Sequence, residues 1–256
     1  MVVFTFILFI IIGCVFASFY TVIGMRLSNG ESIVKPGSHC NNCNHPLKWY
    51  DLIPILSFIL LNGKCRYCHK KMDITYILME LLGGFLFGLS YFLYGISYEL
   101  LASLIISSLI IIIFVSDFKY LIIIDGVVYI GTILIILLKL IYFTPKASLF
   151  SLISAILMFL FMLFIKFLGD KIFKRESLGG GDIKLALFIG ATLGIKLSLI
   201  TIVIASFIAL PYALYFVSKK KEREVPFGPF LIAATLITFI FTEPITNYII
   251  TLFIIG

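Results

Sequence analysis

Apolar residues run along this chain in long blocks, without the alternation that marks a half-buried strand or a surface helix. The blocks cover about 2–25, 74–95, 98–116, 121–143, 147–168, 183–195, 197–217 and 229–255. A helix that spans a bilayer needs roughly 20 apolar residues. The pattern therefore predicts an all-α fold, a polytopic transmembrane bundle of about eight spans, with one polar insertion at 26–72. Two blocks depart from a plain span. The sixth has roughly 14 residues and reaches only about 21 Å as a helix, short of a hydrocarbon core about 30 Å thick, so its cytosolic end is expected to be recessed. The last opens with Pro226-Phe227-Gly228-Pro229 and is interrupted by Glu243-Pro244, which predicts a kink or a non-helical start. No internal repeat is visible.

Composition agrees: 61% of residues are hydrophobic and 13% charged, against about half and a quarter in soluble domains. The formal charge of +7 does not mark a nucleic-acid binder, because the cations sit in the gaps between apolar blocks and not along one soluble face. With the basic insert taken as cytosolic, alternate crossings bring the loops near 117–126, 166–182 and 218–228 to the same side. The insert, these loops and the adjoining helix ends hold every Lys and Arg except Lys139, Lys146 and Lys196. The positive-inside rule thus supports eight crossings and an N-terminus outside. The first block lacks a basic leader and is expected to stay as a helix. Ile11-Ile12-Gly13-Cys14 faintly resembles a lipidation box, but Cys14 reads more simply as a small apolar residue in a helix.

Within the insert, Cys40-Asn-Asn-Cys43 and Cys65-Arg-Tyr-Cys68 form two CxxC pairs separated by 21 residues. Thiolates two residues apart in a tight turn can share a metal, and two such turns complete a tetrahedral set of four sulfurs. A redox CxxC would normally occur once, and two disulfides are disfavoured in a reducing cytosol. The expected ion is zinc in a structural role, since four cysteines leave no open position. It would organise an insert with too few apolar residues for a robust core. His39, His45 and His69 are expected around the site or at the surface, not as ligands.

Four acids lie against or within apolar blocks: Glu80, Asp117, Asp125 and Asp182. An ionisable group at membrane depth is a functional hypothesis by default. Glu80 is expected to pair with a loop cation. Asp117 closes the third block and Asp182 follows Gly179-Gly180-Gly181; the two are 65 positions apart, yet the topology puts both at cytosolic helix ends. The plainer account makes Asp182 an N-cap and Asp117 a mere helix end. It leaves three successive glycines unexplained, a costly choice at a membrane surface unless backbone must be closely approached.

Gly179-Gly180-Gly181-Asp182, followed by Ile183-Lys184-Leu185, fits a GxGD signature, and the chain resembles the type IV prepilin leader peptidases, intramembrane aspartyl peptidases often also active as N-methyltransferases. The resemblance extends over about 17–231: Ala17-Ser18-Phe19, Arg26, Pro36, the four cysteines, Leu52-Ile53-Pro54, Ser57, Tyr76, Glu80, Asp117 and Pro226-Phe227-Gly228-Pro229. One departure is Ile124, where the family usually has proline before the acid corresponding to Asp125. The resemblance implies Asp117 and Asp182 as the catalytic acids, with Gly179, Gly181, Asp125 and Lys184 in support. It also implies cleavage of a basic leader from a prepilin or pseudopilin, within type IV pilus assembly or protein secretion. Methylation of the new N-terminus from S-adenosylmethionine follows by the same route, although no Rossmann-type glycine fingerprint marks a cofactor pocket. The expected organisation is a first transmembrane helix at 1–25, a cytosolic zinc lobe at 26–72 and a peptidase bundle at 73–256, in the inner (cytoplasmic) membrane. A transporter with acids at broken helices, or a non-enzymatic assembly scaffold, are the readings from other classes.

Overall fold

The computed structural model describes residues 2–174, 176–218 and 225–247. Arg175, the cations of 219–223 and the end of the last apolar block at 248–255 lie outside the described residues. Among those described there is no strand, and six helices are long and apolar enough to cross a membrane. The chain divides into two compact units, 1–120 and 121–256.

The first unit contains α1 (Val2–Ser28), a 3-10 turn (Trp49–Asp51), the short α2 (Leu56–Leu60), α3 (Thr75–Tyr94) and α4 (Tyr98–Tyr120). In lipid, apolar side chains gain little by leaving the solvent for one another, so helices associate through close backbone approach at small residues. That is how α1 meets α3. A Cβ on Gly83 would stand 2.3 Å from the Cβ of Ala17, and one on Gly13 would stand 2.4 Å from the Gly83 carbonyl oxygen. Cys14 belongs to the same seam: it is buried, with its sulfur 2.6 Å from where a Cβ on Gly84 would lie. Gly24, further along α1, lies against Val115 of α4.

The second unit contains α5 (Asp125–Tyr142), α6 (Pro145–Phe173), α7 (Gly180–Ser218) and α8 (Gly228–Ile240). Thr144 caps α6 by accepting from the Ala147 amide at 3.3 Å, with Pro145 in the first helical position, where its missing N–H costs nothing. α7 is two helices that meet at Gly194, whose φ 73° and ψ 171° lie outside the helical region. The consequence is a reversal. Ser198 Oγ donates to the Ile189 carbonyl at 3.2 Å, whereas nine residues of straight helix span about 13.5 Å. Ile202 likewise packs against the buried cluster of Met158, Met162, Ile183 and Ala186, and Ala186 and Ile202 are equidistant in sequence from Gly194. The first limb, 180–193, is therefore a short 14-residue span, and 195–218 is the next one. With these limbs, seven of the apolar blocks fall on helices, and α8 covers the first part of the eighth.

A break within a membrane frees carbonyls that water cannot satisfy. Lys139 of α5 meets them, its Nζ donating to Ala191 O at 2.6 Å and Thr192 O at 3.1 Å, while Ser151 of α6 donates to Ala191 O at 2.5 Å. One of the three cations away from the basic loops thus has a structural partner. α8 begins after Pro226 and Phe227, and its last turn closes at Phe241, just ahead of Glu243-Pro244.

Candidate metal centre and membrane-face carboxylates

Each CxxC pair sits in an arm of the same design. In the first, Cys40 N donates to His45 O at 3.0 Å, Asn44 N to Cys40 O at 2.8 Å and Leu47 N to Ser38 O at 2.8 Å. In the second, Cys65 N donates to Lys70 O at 2.9 Å, His69 N to Cys65 O at 3.0 Å and Met72 N to Gly63 O at 2.8 Å. Asn44 and His69, at matching places, both adopt φ 54°. The two arms are a structural repeat of ten residues that the sequence analysis did not find, because beyond the cysteines only backbone bonding is shared.

The four sulfurs lie within 4.8 Å of one another, with Cys40 and Cys68 3.9 Å apart. Tetrahedral zinc with Zn–S near 2.3 Å puts sulfurs about 3.8 Å apart, so the set fits a closed thiolate site. Burial raises the Cys40 thiol, but amide hydrogen bonds from Asn42 and Cys43 and the adjoining thiols outweigh this and bring it to about 7. For Cys43 the His45 amide lowers the thiol, while burial and its three sulfur neighbours push it up to about 11. None of the histidines joins the cluster: His39 Nδ1 donates to Gly37 O at 2.9 Å, and His45 stacks on Tyr67 across the arms with ring centroids 3.6 Å apart. Asp51 joins the turn to the second arm, accepting from Arg66 Nε at 2.7 Å and Tyr67 Oη at 3.4 Å. Arg26, at the end of α1, fixes the approach to the first arm by donating to Pro36 O at 2.7 Å and Gly37 O at 3.1 Å.

Glu80 departs from expectation. It is buried in α3 and accepts from the Ile55 amide at 2.8 Å and from the Ser18 hydroxyl, so its observed partners are a backbone amide and a serine rather than a loop cation.

Asp117, in the first unit, is 6% exposed in the last turn of α4. That turn is tied on both sides. Lys119 donates to Asp73, which also accepts from Thr75 N at 2.9 Å and Oγ1 at 2.7 Å, and Asn29 donates to Tyr120 Oη at 3.4 Å. Burial raises the Asp73 carboxyl, but the bonds from Lys119 and Thr75 outweigh it and hold it below the usual range.

Asp182, in the second unit, is 8% exposed and is the third residue of α7, not its cap. The three glycines before it differ in their surroundings. Gly179 leaves room for Asp182 itself, since a Cβ there would lie 3.1 Å from Oδ2. A Cβ on Gly181 would lie 2.7 Å from the Ile123 Cβ, and one on Gly180 would meet nothing within 4 Å among the described residues. Two further contacts fix this turn. Lys184 Nζ donates to Asp125 Oδ2 at 2.6 Å, joining α7 to the start of α5. Asp170 of α6 accepts from Ser177 N at 2.6 Å and Oγ at 2.8 Å, holding the chain that leads into the glycines. The Asp170–Ser177 contact was not anticipated; its sequence signal, an acid and a serine seven residues apart across a helix end, is too common to have marked it.

Spanning helices, four clustered cysteines that could hold a metal ion and buried carboxylates at helix ends define a multi-pass membrane protein with a candidate metal site in its insert. Family comparison narrows this. Residues 11–94 match the bacterial peptidase A24 N-terminal domain, and residues 104–214 match the type IV leader peptidase family. The chain is 31% identical to a prepilin leader peptidase/N-methyltransferase of Bacillus subtilis, over 93% of this chain and 95% of that protein. It is 30% identical to one of Vibrio cholerae, over 91% and 95%, and 32% identical to one of Neisseria gonorrhoeae, over 85% and 77%. No solved structure matches. The chain belongs to the type IV leader peptidase family.

Proposed function

We propose that this protein is a membrane aspartyl peptidase that removes the leader from type IV prepilin-like proteins at the cytosolic membrane face and methylates the new N-terminus. The observation that carries the reading is the burial of Asp117 and Asp182 in terminal turns of spanning helices, within a chain of this family. Carboxylates are expensive in such places and are retained for function. In the proposed chemistry the two acids share one proton. The ionised acid takes a proton from water as its oxygen attacks the scissile carbonyl, and the protonated one polarises that carbonyl. The C–N bond then breaks as the leaving amine receives a proton. Gly179 and Gly181 shape the turn that carries Asp182, and Asp125 acts on it through Lys184.

In this reading residues 1–25 are the first span, 26–72 the zinc lobe and 73–256 the peptidase bundle, in the cytoplasmic membrane with the N-terminus outside. Zinc on Cys40, Cys43, Cys65 and Cys68 holds the lobe in shape. S-adenosylmethionine supplies the methyl group when bound; no residue is assigned to it.

The test is incubation of the purified protein with a prepilin peptide bearing its leader junction, with and without S-adenosylmethionine, read by mass spectrometry. Asp117→Asn and Asp182→Asn should each abolish cleavage in folded, zinc-loaded protein, while a pre-cleaved peptide is still methylated. Full cleavage by Asp182→Asn would remove the dyad. Uptake of ions by liposomes holding the protein, without any cleavage, would favour a transporter.

A further inference from the structure

Between the two cysteine arms lies the most apolar stretch of the lobe, Leu52-Ile53-Pro54-Ile55-Leu56-Ser57-Phe58-Ile59-Leu60-Leu61. In a small metal-bound domain such a run would be expected to form the core. Here it does not. Leu56 and Ile59 are each 58% exposed, Leu60 is 80% exposed, and Trp49, just ahead of them, is 76% exposed. Isolated apolar residues on a surface need no explanation, but a cluster of this kind marks an interaction site.

The position of the cluster says what covers it. α3 has 20 residues and so spans about 30 Å, the thickness of the hydrocarbon core. Glu80 is five residues below its start, about 7.5 Å along the axis. The hydrogen bond from Ile55 N to Glu80 ties the beginning of α2 to that level. The bond also explains itself there. Ile55 forms a γ-turn, with φ 64°, ψ −53° and Leu56 N donating to Pro54 O at 2.6 Å, so its own amide has no helical partner. In water that amide needs none from the protein, whereas at the edge of hydrocarbon an unpaired amide is costly and a carboxylate is drawn in to meet it. α3 likewise leaves apolar side chains exposed near its start, Leu78 and Leu81, with Ile74 just ahead of it. Trp49 between Lys48 and Tyr50 has the composition of a headgroup-level anchor.

We infer that α2 and its approach form an interfacial membrane anchor, which seats the metal lobe on the lipid surface by inserting Leu56, Ile59 and Leu60 among the acyl chains. The occupant of this face is phospholipid. The inference requires only the spanning helices and is independent of the proposed activity. It makes the lobe a surface-bound element whose orientation to the membrane is set at two levels, by the metal within it and by α2 beneath it.

Trp49 is the only tryptophan of the chain, so its fluorescence reports on this region without any substitution. A second reporter is Leu60→Trp in a Trp49→Phe background. Both proteins, verified to retain zinc, are placed in phosphatidylcholine and phosphatidylglycerol vesicles, plain or brominated on the upper acyl chain. Brominated lipid is expected to quench both tryptophans, Leu60→Trp by at least half, and acrylamide should quench Leu60→Trp several-fold less than free tryptophan. Free access of acrylamide to Leu60→Trp with no bromine quenching overturns the inference, even if Trp49 alone is quenched. Shielding that appears only when a prepilin segment is added, or only at high protein density, assigns the face to a peptide or to a second copy and overturns it equally. Because no turnover is measured, an inactive protein leaves the result intact.

Discussion

Lys184 reaches from the first limb of α7 to the first residue of α5 and donates to Asp125 at 2.6 Å, two positions after the buried Asp182. Asp125 thus touches the turn that carries Asp182 through a cation, and in the proposed function its role is indirect.

The size of that role can be estimated. Both side chains are one third to one half exposed, and exposed pairs contribute about 0.2–1 kcal/mol. Asp125→Asn should therefore slow peptide cleavage only a few-fold, where Asp182→Asn abolishes it. The exchange Asp125→Lys with Lys184→Asp should recover part of the loss. Cleavage rates on a prepilin peptide decide: a loss at Asp125→Asn as deep as at Asp182→Asn would place Asp125 in the chemistry.

The three glycines should respond differently to a methyl group. Gly181→Ala would drive its Cβ into Ile123, and overpacking of about 1–3 kcal/mol should lower cleavage by roughly tenfold or more. Ile123→Ala should restore part of it in the double variant. Gly180→Ala meets no neighbouring atom among the described residues, so thermal stability should be unchanged. Equal destabilisation by the two alanines would contradict this packing.

The tie between Lys119 and Asp73 should be visible in acid. Asp73 is held below its ordinary value of 3.8 when folded. A depressed carboxyl adds stability that is fully present above its unfolded value and is lost as pH falls through the folded one. Melting temperatures in detergent should fall below about pH 4 in the native protein. Asp73→Asn should be less stable near neutrality and flatter through that range. Parallel pH curves for the two proteins would show that the pair contributes nothing measurable.

Metal analysis of protein purified without chelator should give about one zinc per chain, and Cys40→Ser or Cys65→Ser should reduce it. Stripping the metal should loosen both arms and harm methylation at least as much as cleavage. Cadmium, which accepts four thiolates, should restore both. Cleavage lost at once on stripping and not recovered with cadmium would point to chemistry at the metal.

The sequence by itself determined the membrane bundle, because long apolar blocks admit few alternatives in a bilayer. It also picked out the four cysteines that the fold gathers into a candidate metal site, since paired CxxC turns carry their geometry locally, and the short sixth block, whose helix ends at Gly194. Tertiary structure decided what depends on residues distant in the chain. The Glu80 carboxylate found the Ile55 amide 25 positions away, and Lys139 found the carbonyls freed at Gly194 more than 50 positions on. Neither partner could be read beforehand, because backbone amides and carbonyls look alike at every position until folding leaves particular ones unpaired. The apolar run at 52–61 shows the same limit from the other side: its hydrophobicity is plain in the sequence, but only the fold leaves it uncovered beside a spanning helix. Apolar side chains carry no direction, and what buries them is settled by the surfaces the rest of the chain has already used.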